Sequence, residues 1–492
     1  MTTASSPPPA AAMPPPPAAR GRGRGTEAAV FAAVALAVAG LFLLAPTYPG
    51  LDTYYHLVWG RELLDGATPS FDGYRAPTHH PLWVAVGALA AVFGRAGERV
   101  VVLVALGCLV AFLWAVYRLG AAVLGRWTGV VGAVLAAGSF AFLLYAVRAF
   151  VDVPFLALVL WAAVLAVERP GRPARAMALL ALAGLLRPDA WLLAALWWLW
   201  ARRGRPARTQ AGLAALAVVA PVIWLAVDWI ATGRPLFSFT ATSSLAEELR
   251  HEGGGLDVPG AYVGYLAGTL RAPVLALAAV GVVLALRAVG RRRLVVPLTL
   301  IAAGSATFAL TGLAGLSILP RYLTVPAAAL CVFAAYALVG WTTVPDARWW
   351  RRLGIAGLVA GALGGAAFAA LSAGRVTGEL RFVRASHADL ARLLADPRVR
   401  AALRCGPLVL PTDRLVPDAR WLLDAPPGAV LARTAPARRG IGVQVTVAGE
   451  KAVKRFAQAA SIPRATNRVA PGAVGTVRAG RFTGHLHRCP RG

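Results

Sequence analysis

Charge is scarce in this 492-residue chain: Asp, Glu, Lys and Arg make up 15% of it, against 58% apolar residues. Soluble globular domains carry about 25% charged residues, so that class is excluded and a polytopic membrane protein is expected. Lysine is nearly missing. Of 50 basic residues only Lys451 and Lys454 are Lys, and the abundance of Ala, Gly and Arg marks a GC-rich genome more than a mechanism. Cysteine is sparse as well, and its four copies show no CxxC or Cys/His spacing of the kind that holds a metal. Cys108 and Cys331 lie in apolar segments and read as small buried hydrophobes, whereas Cys405 and Cys489 bracket the C-terminal region and are a disulfide candidate for an oxidising compartment. A net charge of +28 would suggest nucleic-acid binding in a soluble chain; in a membrane chain the charges first have to be sorted by side, and no nucleic-acid partner is expected.

Residues 1–27 form a Pro/Ala/Arg-rich tract that includes RGRGRG and cannot bury a core; they are expected to be a disordered cytoplasmic tail. The first long apolar run, 28–45, is followed by no clear Ala-x-Ala cleavage site and is read as a membrane helix. Segment 81–94 is too short to span and reads as a juxtamembrane helix in the first outer loop. Further spans are expected near 100–117, 128–146, 154–167, 176–186, 190–200, 210–232, 272–286, 294–313, 322–341 and 353–373, about eleven in all. With the N-terminus inside, the cytoplasmic pieces carry +16 and the outer ones −2, as the positive-inside rule requires. The predicted architecture is an all-α polytopic membrane domain over 28–373 and a small extracytoplasmic α/β domain over 374–492. The second domain has helix-like stretches at 385–394 and 450–460 and strand candidates at 407–410, 441–447 and 473–477. Its net +14 reads as a solvated basic surface or as a face for anionic envelope polymer or headgroups.

This topology returns most ionisable residues of the membrane domain to one face. The first outer loop, PGLDTYYHLVWGRELLDGATPSFDGYRAPTHHPLW over 49–83, carries Asp52, His56, His79 and His80. Arg148 and Asp152 fall on the second loop, Arg187 and Asp189 on the third, Arg234, Glu247, Glu248, His251, Glu252 and Asp257 on the fourth, and Arg321 on the fifth; Asp228 lies near an outer helix end. Charges at helix ends are costly unless they meet water, a partner or a substrate. A charged rim above an apolar bundle suits a substrate with a charged head and a long apolar tail. Local explanations stand beside this one: Asp52 as a helix cap, Arg148 and Asp152 as a helix-end pair, RPDAW at 187–191 as a tight turn, and Arg321 as an interface anchor.

At these residues the chain resembles the GT-C type glycosyltransferases, in particular the branch of protein O-mannosyltransferases and lipid A aminoarabinose transferases. Asp52 matches the acid of the first outer loop, and His80 with Pro81 the basic residue before Pro at a juxtamembrane helix. Tyr145 with Asp152 and Pro154 matches a YxxxxxxDxP-like context, and Arg187 with Pro188 a basic-Pro turn. The resemblance implies an enzyme that moves a sugar, with inversion, from a polyprenyl-phosphate carrier to an acceptor hydroxyl on the outer face of the cytoplasmic membrane. Asp52 and Asp152 would be catalytic, Asp52 as the general base and Asp152 holding a sugar or acceptor hydroxyl or orienting a basic neighbour, and His79, His80, Arg148, Arg187 and Arg321 would hold the phosphate or substrate. Mannosyltransferases often have a second acid where Thr53 stands. No cofactor is specified, and use of a divalent metal stays open. The expected partners are the lipid-linked donor, membrane lipids, and a protein, polysaccharide or lipid acceptor. Two other classes fit the same composition: a transporter or flippase of lipid-linked sugars, and a non-catalytic envelope scaffold.

Overall fold

The computed structural model describes residues 22–45, 47–248, 258–344, 347–435, 440–458 and 467–488. Apolar composition decides the first two-thirds: wherever a run is long enough, the backbone satisfies its own hydrogen bonds as helix, which is what a hydrocarbon environment demands. The helices are α1 (Arg22–Leu44), α2 (Leu51–Leu64), α3 (Pro81–Ala91), α4 (Gly97–Leu124), α5 (Arg126–Ala137), α6 (Phe140–Val147), α7 (Asp152–Glu168) and α8 (Pro173–Gly184). They continue as α9 (Asp189–Ala201), α10 (Ala207–Thr232), α11 (Phe237–Glu248), α12 (Val258–Leu270), α13 (Ala272–Ala288), α14 (Arg291–Leu313), α15 (Thr324–Val339) and α16 (Arg348–Ala395).

This is a multi-pass membrane architecture, although fewer of its helices are full-length crossings than the apolar runs suggest. Among the described residues five helices are long and apolar enough to cross a bilayer, or seven if two bent pairs are each one span. The expected span 128–146 is the first such pair, broken between α5 and α6 with a 63° bend. The second pair, α12 and α13, bends by 105° at Arg271, and α12 occupies what the sequence reads as outer loop. α8 and α9 are 12 and 13 residues long, too short to cross alone. At the centre every residue of α15 (Thr324–Val339) is buried, its many alanines letting α13, α14 and α5 pack close around it.

The first outer loop is not irregular. Its opening half is α2, which lies against α3 at a backbone-to-backbone crossing. A Cβ on Gly60 would collide with the backbone of Ala88, and one on Gly87 with the carbonyl of His56, so glycine at both positions is what lets the helices meet.

The expected boundary at 373/374 falls inside α16, a single helix of 48 residues that leaves the membrane bundle and enters the C-terminal domain. That domain continues with α17 (Pro397–Ala402), β1 (Leu408–Leu410), α18 (Val416–Leu423), β2 (Val430–Ala432), β3 (Val443–Val447), α19 (Glu450–Phe456), β4 (Ala473–Ala479) and β5 (Phe482–His487). The five strands form one sheet in the order β2-β1-β3-β5-β4, parallel from β2 to β3 and antiparallel from β3 to β4. Leu408, Leu410, Val443, Val445 and Phe482 of the sheet pack on Leu390 and Leu393 of α16. The strand candidates 407–410, 441–447 and 473–477 thus become β1, β3 and β4, with β2 and β5 additional. In the proposed Cys405–Cys489 pair, Cys489 lies outside the described residues, as do His251, Glu252 and Asp257.

Candidate active site

α2 is the element on which the site is built. Asp52 sits in its first turn, and His56 follows one turn later on the same side. The His56 Nδ1 lies 2.5 Å from the Asp52 backbone carbonyl, so Nδ1 carries the proton and donates it, and Nε2 presents a lone pair. That Nε2 is buried without a protein partner. Burial lowers the His56 pKa to about 4, against the pull of Asp52, so the ring is neutral at physiological pH. His80, at the N-cap of α3, stacks on His56 at a centroid distance of 5.3 Å, and its Nδ1 is likewise buried and unpartnered. Its pKa is also held well below the usual value, first by burial and then by His56 and the nearby arginines.

From the far end of the chain Arg321 brings Nη1 to within 3.1 Å of the Asp52 carboxylate. Both side chains keep solvent access, 29% for Arg321 and 20% for Asp52, so a ligand can reach them. Among the described residues the remaining guanidinium donors of Arg321 have no partner. Arg187 is placed differently. It is buried between the rings of Phe155 and Tyr322, donates Nε to Asp189 at 2.9 Å, and gives Nη1 to Asp152 and to the Arg321 carbonyl. Asp152 is fully enclosed and has one oxygen, Oδ2, without a partner. Three acids and two arginines therefore form one connected cluster in which Asp52 and Arg321 face outward and Arg187 and Asp152 stand behind them.

The structure redistributes the sequence-expected residues. Asp52, Asp152, His80, Arg187 and Arg321 come together. Asp152 is not placed to take a substrate hydroxyl from solvent; its geometry is that of an orienter for Arg187. His79 departs from the expected binding role, because it is buried between Phe71 and Trp224 and its Nε2 pairs with Asp228 at 2.7 Å. Asp228 also accepts from the backbone N and hydroxyl of Ser238, which ties α10 and α11 to the loop before α3. Arg148 contributes its backbone to α2, its carbonyl accepting from Gly50 N at 2.8 Å, while its side-chain Nη1 is buried without a partner. His56 stands in the cluster although sequence reasoning left it out of the site residues; its spacing of four from Asp52 on a helix is a usable signal. Among the described residues no group of three or more His, Cys, Asp or Glu side chains is arranged to hold a metal.

Directly beside the cluster lies an apolar groove of about 500 Å³. Leu82 and Trp83 line it immediately after His80 and Pro81, Pro154 two residues after Asp152, and Leu186 next to Arg187. The groove lies between α3, α4, α7 and α8, with the polar cluster next to it along the chain on three of these elements.

The α2 helix is held from its other side by the C-terminal domain. Arg420 Nη2 meets Glu62 at 2.5 Å, Arg61 meets Asp424 at 2.7 Å, and Arg61 also donates to the carbonyls of Arg420 and Trp421. Tyr54 donates to Glu98 of α4 at 2.9 Å, and His387 of α16 approaches both at 3.2 Å.

No protein-family model matches the sequence, and no curated protein matches it. Among solved structures, ArnT from Cupriavidus metallidurans, crystallised bound to undecaprenyl phosphate, superposes with a TM-score of 0.55 at 16% identity, covering 81% of this chain and 85% of that one. The fold is GT-C. The likeness to GT-C proteins read at Asp52, His80–Pro81, Asp152–Pro154 and Arg187–Pro188 therefore extends from four short motifs to the fold of most of the chain.

Proposed function

We propose that this chain is a polyprenyl-phosphate-sugar-dependent glycosyltransferase of the outer membrane face, transferring to an acceptor hydroxyl. The observation that carries the reading is the junction of a solvent-accessible Asp52–Arg321 pair with an apolar groove in a chain of GT-C fold. The donor's isoprenoid tail lies in the groove and its phosphate meets the free donors of Arg321, with His80 beside it. Asp52 accepts the acceptor hydroxyl proton as that oxygen bonds to the anomeric carbon. The bond from that carbon to the phosphate oxygen breaks on the opposite face, which inverts the centre and releases polyprenyl phosphate. Fixed guanidinium charge in a low-dielectric site stabilises the leaving phosphate. Neutral His56, with its Nε2 lone pair turned into the cluster, serves as an acceptor for a sugar or acceptor hydroxyl. In this orientation the N-terminus is cytoplasmic and the C-terminal domain stands outside.

The test is transfer in lipid nanodiscs from a panel of radiolabelled polyprenyl-phosphate sugars, reading release of the lipid phosphate from wild type and Asp52→Asn. Turnover in wild type that is lost in the variant supports the assignment. Equal turnover in both removes Asp52 from the chemistry. Donor movement across the membrane without bond cleavage would replace transfer with transport.

A further inference from the structure

The end of the bundle remote from Asp52 holds a second, larger cavity, of about 810 Å³, between α7, α8, α9 and α14. Chain direction places it. α7 and α9 start at Asp152 and Asp189 in the site and run away from it, while α14 starts at the other end and leads toward Arg321. The cavity body is apolar, with Val159, Ala163, Leu180 and Ala303 among its walls, and Arg203, Arg292 and Arg293 stand at its remote end. All three arginines are exposed, and among the described residues none has a carboxylate partner. Glu168, the acid that ends α7 on that side, is already taken by Arg118 at 2.7 Å.

The cavity opens sideways. Leu196, Leu199, Trp200 and Val295, all on its lining, are 38%, 42%, 45% and 48% exposed, on a surface that in a bilayer meets acyl chains and not water. Three uncompensated cations at the headgroup level, an apolar body and an entrance from the lipid are complementary to an anionic amphiphile. A free anion would leave the apolar body empty. The carrier in the proposed reaction has its own groove at the Asp52 cluster, and the two cavities share no lining residue. We propose that this second cavity binds an anionic phospholipid, with the phosphate among Arg203, Arg292 and Arg293 and the acyl chains between α9 and α14. The site is independent of the transfer reaction and requires only that the bundle sits in a membrane.

Native mass spectrometry of delipidated protein, titrated with phosphatidylglycerol and with phosphatidylcholine, tests it. Wild type is expected to bind phosphatidylglycerol about tenfold tighter than phosphatidylcholine, and the triple variant R203Q/R292Q/R293Q to lose that preference. Ala302→Trp, which fills the cavity from an exposed lining position and leaves the arginines intact, is expected to weaken both lipids. Equal binding of the two lipids by wild type, or unchanged binding in both variants, overturns the site. Arginine-dependent binding of undecaprenyl phosphate about tenfold tighter than phosphatidylglycerol overturns the phospholipid and assigns the cavity to the carrier. Displacement by inorganic phosphate alone, with no dependence on Ala302, reduces it to a surface anion contact.

Discussion

The two ends of the helical bundle use arginine in opposite ways. At the Asp52 end Arg187 is buried and bound on two sides by carboxylates, and Arg321 is half committed. At the remote end Arg203, Arg292 and Arg293 are exposed and unpaired among the described residues. The residue type is the same, but one set is part of a preorganised polar core and the other waits for something to arrive. The difference lies in the acids: Asp52, Asp152 and Asp189 are at the first end, and Glu168 at the second is occupied elsewhere.

Substitutions at the two ends should therefore diverge, and the greatest effect belongs to Asp52. If it is the base, Asp52→Asn lowers transfer by about 10²–10⁴-fold with little change in donor affinity, measured as kcat against KM. Arg187→Ala strands the enclosed Asp152 carboxylate, and the expected loss is about 3–5 kcal/mol in thermal or denaturant unfolding, with partial recovery when Asp152 is replaced by Asn as well. Arg420→Ala removes the 2.5 Å contact to Glu62 from the C-terminal side of α2; transfer is expected to fall on the order of tenfold, with faster hydrogen exchange in α2, because Asp52 loses part of its support. Arg292→Ala, at the remote end, is expected to change stability by less than about 0.5 kcal/mol in lipid-free detergent. A loss at Arg292 as large as that at Arg187 would erase the contrast.

Acid and base sharpen the comparison inside the site end. Burial raises the Asp418 carboxyl to about 7, with Glu98 adding to the rise and His387 and Arg148 opposing it. The folded state thus holds this proton more tightly than the unfolded chain, so its stabilising contribution is full below the ordinary carboxylate range and is lost as pH rises through about 7. His56 has the opposite sign: its folded pKa of about 4 lies under the ordinary 6.5, so stability drops as pH falls across that interval. The two groups titrate over nearly the same interval, about pH 4 to 7, with opposite slopes, so melting temperature is expected to fall more steeply toward acid in Asp418→Asn and more steeply as pH rises in His56→Gln.

Much of this was legible in the sequence. The apolar runs mark the membrane domain, and Asp52, His80, Asp152, Arg187 and Arg321, which the sequence reading puts on one face, stand together in the structure. What escaped depended on distant partners. α2 has neither a long apolar run nor a simple amphipathic stripe, because both of its sides are covered, one by α3 and the other by α18. Two adjacent histidines looked equivalent in sequence, yet Asp228 and two aromatic rings claim His79, while His80 is left facing His56. The bends at Ser139 and Arg271 occur inside stretches whose hydropathy is continuous. The Glu62–Arg420 pair joins positions 358 residues apart, which no local pattern encodes.

α16 carries one more consequence. A continuous helix of 48 residues is about 72 Å long, and each residue advances it by about 1.5 Å and turns it by about 100°. The C-terminal domain reaches α2 only at one angle and one height, so the helix works as a gauge rod whose length is a dimension of the molecule. Removing a single residue beyond the bundle swings Arg420 to another side of the axis. Inserting seven restores the angle but lifts the domain by about 10 Å.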